Sequence, residues 1–160
     1  MEHWLPIDDF DSYEVSDHGR VRNANTGHIL NQYDNGLGTL QVTMFENGRL
    51  HARAVHRLVA SAFISPPPEG AAVMFKDHDR TNLHVDNLDW KPRWFVVKRT
   101  IQHKRLYPRD HRRVLMHSTN QIFENSLVCA EAIDGLEELV ILTAGDPNGR
   151  TYKGSTFSFV

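Results

Sequence analysis

AAVMFKDHDRTNLHVDNLDW, residues 71–90, is the stretch that decides the fold. AAVMF is a short apolar run and predicts a strand. KDHDRTN is a polar loop, and VDNLDW predicts a helical turn that enters another segment. The loop sets His78 between two carboxylates, Asp77 and Asp79, while the two positions before Lys76 hold Met74 and Phe75.

Upstream, the chain's clearest helix is VHRLVASAF, residues 55–63. Val55, Leu58, Val59 and Ala62 fall at i, i+3, i+4 and i+7 and make one apolar face. SPPPEG (65–70) ends it, because three prolines cannot continue a helix. Before the helix, TLQVTMF (39–45) alternates as a half-buried strand should, and ENGR (46–49) predicts a hairpin because Asn-Gly suits a type I′ turn. YEVS (13–16) and GRVRN (19–23) flank a turn at Asp17-His18-Gly19, where Gly19 is free to take positive φ. DNGLG (34–38) is a further break.

Downstream, RWFVVKRTIQHKRLYPRDHRR is strongly basic and helical in part, too polar to form a core alone. RRVLMHSTNQIFEN then predicts a hairpin around STNQ. SLVCAEAI is a helix with Ser126 as its N-cap candidate, and LEELVILTAG is a second helix closed by Gly145. GRTYKGSTFSFV ends as a strand. Hairpin, helix, tight turn, helix and strand resemble a small helix-turn-helix unit.

The 160 residues are 40% hydrophobic and 24% charged, a globular composition without wholesale disorder. No apolar run approaches the roughly 20 residues of a membrane helix, and MEHWLPIDDF lacks the basic and apolar regions of a secretory signal. Cys129 is the only cysteine, which excludes an internal disulfide and a Cys-rich zinc module and suits a reducing, cytoplasmic setting; it is expected in the core of a helix. Net charge is −2 but unevenly placed. Residues 1–90 carry −6, residues 91–113 carry +8, and residues 114–160 carry −4, so half of all Lys and Arg lie in one belt.

WLPIDDFDSYEVSDHGRVRN resembles the nuclease-associated modular domain that opens many HNH homing endonucleases, through Trp4, Pro6, Ile7, Tyr13, Val15, Ser16, Gly19, Arg20 and Val21. VHRLVASAF resembles the helix that leads into the HNH motif, VMFKDHDRTNLHVDNLDW the HNH core itself, and CAEAI through YKGSTFSF the intron-nuclease helix-turn-helix repeat. Their order is similar to that of phage intron-encoded HNH nicking endonucleases. The resemblance implies an α+β fold in four parts. A small β-rich module (1–54) runs into a ββα-metal, HNH-like core (55–93), followed by a basic linker (94–113) and a helix-turn-helix module with flanking short strands (114–160).

The family's chemistry needs a general-base His on a strand and oxygen ligands for a hard divalent metal. On this chain the metal-binding position falls on Met74, whose thioether is too soft for Mg²⁺. The general-base position falls on Phe75, which accepts no proton. The Asn that orients the base is kept as Asn87, and the helix ligand falls near Val96. No intact catalytic set and no metal site are therefore expected. Asp77, Asp79, Asn82, Leu88 and Trp90 are expected mostly as loop and packing features. A shifted register in which His78 acts as base and Asp77 or Asp79 holds Mg²⁺ is the fallback. The remaining histidines (His3, His18, His28, His51, His56, His103, His111 and His117) show no ligand-like spacing.

The belt's nine cations, Lys91, Arg93, Lys98, Arg99, Lys104, Arg105, Arg109, Arg112 and Arg113, match a phosphate backbone. Trp94, Phe95 and Tyr107 interleave with them, as packing anchors rather than stacking platforms. Against a DNA role stands the second terminal helix, where Glu137 and Glu138 face the phosphate side with no Lys or Arg accompanying them in sequence, and whose apolar residues suggest either a protein contact or burial in its own module. The expectation is an inactive HNH relative that binds duplex DNA through the belt, in the cytoplasm of an infected or host bacterial cell. The alternatives are a nuclease scaffold reused to bind a host or phage protein, and an active nickase with a rearranged site.

Overall fold

The computed structural model describes residues 1–64, 67–105 and 108–160. It divides into two compact units, Met1–Val96 and Val97–Val160, with mixed α+β content. Pro67 to Gly70, after the expected helix stop, lies in irregular chain and turn; Ser65 and Pro66 lie outside the described residues.

The first unit opens with β1 (Trp4–Ile7), β2 (Phe10–Ser16) and β3 (Val21–Asn23), an antiparallel sheet in chain order. A second antiparallel sheet joins β4 (Tyr33–Asp34), β5 (Leu40–Glu46) and β6 (Arg49–Ala54). Its β5–β6 turn is the Asn-Gly hairpin that the sequence predicts: Glu46 pairs with Arg49, and Asn47 and Gly48 take φ of 51° and 76°, the positive values a type I′ turn requires. Helix α1 (Val55–Phe63) follows directly and buries Val55, Val59 and Ala60. Val55 and Val59 each contribute about 1.5–3 kcal/mol on burial. Strand β7 (Ala71–Phe75) pairs antiparallel with β8 (Leu88–Pro92) across a loop that ends in a short 3₁₀ turn, Val85–Asn87. Helix α2 (Arg93–His103) leaves β8 at once. Strand, strand and helix thus follow in the expected ββα order.

The stretches 1–54 and 55–93, expected as separate modules, share one hydrophobic core. Ile7, Val15 and Val21 from the first sheet, Val42 and Met44 from the second, Val59 from α1, and Val73, Leu83 and Leu88 belong to a single buried cluster. Two further ties join them. The Val85 amide donates to the Asp17 carbonyl at 2.8 Å. Gly19 takes φ +81° with Leu83 so close that an added Cβ would lie 2.3 Å from the Leu83 Cβ, so glycine there serves both the turn and the close approach.

The stretch 94–113, expected as a linker, starts in α2 and from Val97 onward belongs to the second unit. That unit holds β9 (Val114–Met116) between β10 (Gln121–Phe123) and β11 (Phe157–Phe159), all antiparallel. Helices α3 (Ser126–Ala132) and α4 (Glu137–Ala144) are joined by a tight turn through Asp134, at φ 51°, and Gly135. Val114, Phe123, Cys129, Ala130, Val140 and Phe157 form its core. Cys129 is fully buried, as expected, and burial pushes its thiol up to about 11. Around α4 the N-cap Leu136 and Val140 are buried, Leu139, Ile141 and Ala144 are partly buried, and Leu142 is exposed. The α3 cap differs from expectation. Asn125 is the N-cap, its side chain accepting from the Leu127 and Val128 amides. Ser126 is the first helical residue and is buried.

Candidate functional site

Met74 and Phe75 end strand β7, opposite Asp89 and Leu88 of β8. Met74 is 3% exposed, and the Phe75 ring packs on the His56 ring of α1, with centroids 5.2 Å apart. These two positions are occupied by packing side chains. Neither offers an oxygen to a hard cation, and Phe75 cannot take a proton. Val96 lies in the first turns of α2 and is equally without an oxygen ligand in its side chain. The residues present do not fit the divalent metal that this fold implies.

Asn87 is 8% exposed and acts as a latch for the loop. Its side-chain oxygen accepts from the Asp77 amide at 3.0 Å, its side-chain nitrogen donates to the Asn82 carbonyl at 2.9 Å, and its own carbonyl accepts from the Lys76 amide at 2.8 Å. The fallback residues are likewise engaged in the loop. Asp77 accepts from the Asp79 amide at 2.8 Å and from the Asn82 side chain at 2.7 Å. Asp79 accepts from both the amide and the hydroxyl of Thr81. Burial alone would raise the Asp77 carboxyl, but the hydrogen bonds from Asn82, Asp79 and Asn87 together hold it below the usual carboxylate range. The Thr81 hydroxyl and amide do the same for Asp79. His78 sits at the turn with φ 66°. Asp77, His78 and Asp79 do not converge as a metal cage: among the described residues the grouping that does bring such side chains together is Glu2, Asp17 and His18.

That grouping has no signal in residue spacing, because the fold assembles it. Asp17 accepts from the His3 amide at 3.1 Å, and its carboxylate lies 3.1 Å from His3 Nδ1 and 2.7 Å from His18 Nδ1. The His18 ring meets His84 edge-on at 4.7 Å. The His18 contact, against a smaller opposing effect of burial, holds the Asp17 carboxyl well below its ordinary range. Glu2 is already paired with Arg20, whose positive charge opposes a cation there. His56 is a histidine that the fold changes strongly. Burial, then the positive charges of Arg57 and Arg80, lower it to about 4 and keep it neutral at pH 7.

The belt's cations are largely engaged with acids of their own unit. Lys91 of β8 pairs with Asp89 at 2.6 Å. In the second unit Arg99, 4% exposed, pairs with Glu131 at 2.7 Å and Asp134 at 3.0 Å. Lys98 and Arg109 both meet Glu138, Arg105 meets Glu137, and Arg112 pairs with Asp110 at 2.7 Å. Arg93, Lys104 and Arg113 are exposed, and no ion pair of theirs is seen among the described residues. Glu137 and Glu138 therefore do have basic companions, contrary to the sequence expectation, and these arrive from the belt. Glu137 is fully buried and accepts from Arg105, from the Ser126 hydroxyl at 2.8 Å and from the Arg109 amide at 2.6 Å. Phe95 is buried, whereas Trp94 is 56% exposed; Tyr107 lies outside the described residues. No helix among the described residues is long and apolar enough to cross a membrane.

Residues 2–45 match the NUMOD4 motif and residues 53–93 match the HNH endonuclease model. An uncharacterized HNH endonuclease of Acanthamoeba polyphaga mimivirus is 34% identical over 87 residues, 54% of this chain and 26% of that protein. The DNA endonuclease I-HmuI of Bacillus phage SP01 is 32% identical over 88 residues, 54% of this chain and 51% of that protein. The matches thus span between about a quarter and half of these relatives' length. The solved structure described as DNA binding and cleavage by the HNH homing endonuclease I-HmuI aligns with 99% of this chain and 98% of its own, at a TM-score of 0.60 and 22% identity, a likeness of fold. The NUMOD4 and HNH stretches thus share one core, and the chain as a whole has the fold of an HNH homing endonuclease.

Proposed function

We propose that this chain binds duplex DNA with the HNH homing endonuclease fold but does not cut it, acting in the cytoplasm of an infected bacterial cell. The observation that carries the proposal is the pair Met74 and Phe75 on β7, one 3% exposed and the other packed against the tilted His56 ring, where the chemistry needs a metal ligand and a base. The closed loop at Asp77, His78 and Asp79 supports it further, since both Asp77 oxygens and Asp79 Oδ1 accept hydrogen bonds within the loop. DNA affinity is assigned to the belt, with Arg93, Lys104 and Arg113 exposed and Lys98 and Arg109 on the surface of the second unit.

The test is supercoiled plasmid incubated with Mg²⁺ or Mn²⁺, beside a gel shift on a duplex. No nicking is expected, together with a shift that weakens as salt rises. Nicking abolished by His78→Ala would establish the rearranged site instead. The absence of any shift at low salt would remove the DNA part. The ion pairs that engage Lys91, Lys98, Arg99, Arg105, Arg109 and Arg112 favour a second reading, a scaffold that engages a host or phage protein. A stoichiometric partner from host lysate, with no DNA shift, would put that reading first.

A further inference from the structure

The second unit carries a groove of about 130 Å³ whose lining includes Lys98, Arg105 and Arg109, with the carboxylate of Glu138 set among them. Three cations around this groove are balanced by two carboxylates held in different ways. Glu137 is fully buried and tied to Arg105, Ser126 and the Arg109 amide, and its own amide donates to Gln102 at 2.7 Å. It cannot leave without stranding those groups. Glu138 is 32% exposed, and its two oxygens face Lys98 and Arg109, themselves 50% and 54% exposed. Such open ion pairs are weak and easily exchanged.

We propose that this groove takes a backbone phosphate of a nucleic acid, and that Glu138 occupies it as an internal competitor. A phosphodiester presents the same paired oxygens as the Glu138 carboxylate and can meet Lys98 as a point charge and Arg109 through its planar fork. When Glu138 swings out, Lys98 and Arg109 each lose one carboxylate, while Glu137 stays tied to Arg105. The charge of Lys98 and Arg109 is then available to the polymer only to the extent that Glu138 yields. The proposal rests on the DNA-binding reading above, and its test separates the two.

Full-length protein and the variants Glu138→Gln and E138Q/K98A/R109A are titrated on one DNA duplex over a series of salt concentrations. Each is also melted with and without inorganic pyrophosphate. Glu138→Gln is expected to bind DNA about fivefold tighter at low salt, the effect of removing one like charge near a phosphate. Its plot of log affinity against log salt should steepen by about 0.9, one more phosphate contact. Its Tm should rise with pyrophosphate, and E138Q/K98A/R109A should lose both gains. Wild type that binds DNA with Glu138→Gln unchanged in slope would overturn the groove and leave the DNA reading standing. A pyrophosphate response in Glu138→Gln without DNA binding by any chain would support the groove and overturn the DNA reading. A gain that survives in E138Q/K98A/R109A would also overturn the groove, because the effect would then be net charge alone.

Discussion

His56 shows how packing at Phe75 changes a single side chain. Here its ring lies on Phe75, and burial with Arg57 and Arg80 lowers it from 6.5 to about 4. The folded state therefore holds this imidazole neutral, while the unfolded chain protonates it below about pH 6.5. Its contribution to stability is fully present above that pH and is lost as pH falls through about 4. A shift of this size corresponds to about 3 kcal/mol, and the partial exposure of the ring brings the expected loss to about 2 kcal/mol. Urea midpoints measured from pH 7 to pH 4 should fall more steeply for wild type than for His56→Leu, and parallel curves would rule out the assignment. Neither the neighbour nor the shift could be read from the chain, since His56 meets Phe75 only after α1 has packed beside β7.

At the scale of elements, legibility followed the range of the forces. α1 was legible from end to end because its apolar face repeats locally and β6 delivers the chain straight into it. The β5–β6 hairpin was legible because Asn-Gly alone satisfies two positive φ angles. The cap of α3 was placed one residue late because Asn125 and Ser126 are adjacent and both are good caps. What separates them is tertiary: Ser126 is buried and donates to Glu137 and to the Asp110 carbonyl at 3.0 Å, which leaves the amides of Leu127 and Val128 to Asn125. The roles predict different costs. Asn125→Ala should destabilise by about 1 kcal/mol as a lost cap. Ser126→Ala should cost about 1–3 kcal/mol by removing a hydrogen bond to a buried carboxylate. If urea unfolding shows Asn125→Ala to be neutral, the capping assignment fails. The pairing of α2 and the chain after it with Glu131, Asp134, Glu137 and Glu138 was equally hidden, because a charge block in sequence does not say which acids the fold will bring to it.

For the molecule as a whole, the proposed inactivity sets packing at Met74 and Phe75 against a base and a metal ligand. An oxygen cluster held for chemistry is a buried polar set that destabilises the fold without its metal, and apolar side chains in its place relieve that cost. The resemblance pointed to these two positions in the sequence. The structure adds that Met74 is built into the strand rather than left at a wetted rim. Restoring the family's side chains in M74D/F75H/V96N should therefore reverse the exchange. Without metal, an Asp in so buried a place costs about 1–3 kcal/mol, the penalty of an unmet polar group, and the variant should melt below wild type. With Mn²⁺ present, a site that assembles regains stability by mass action, about 2.7 kcal/mol at a hundredfold excess over Kd, while wild type, without oxygen ligands at these positions, should not respond. Thermal unfolding of both chains with and without Mn²⁺ decides the matter. A rise confined to the variant means that the frame around β7, β8 and α2 still holds the geometry of its relatives. No rise, or an equal rise in both, means that the packing of Met74 and Phe75 has remodelled the frame itself.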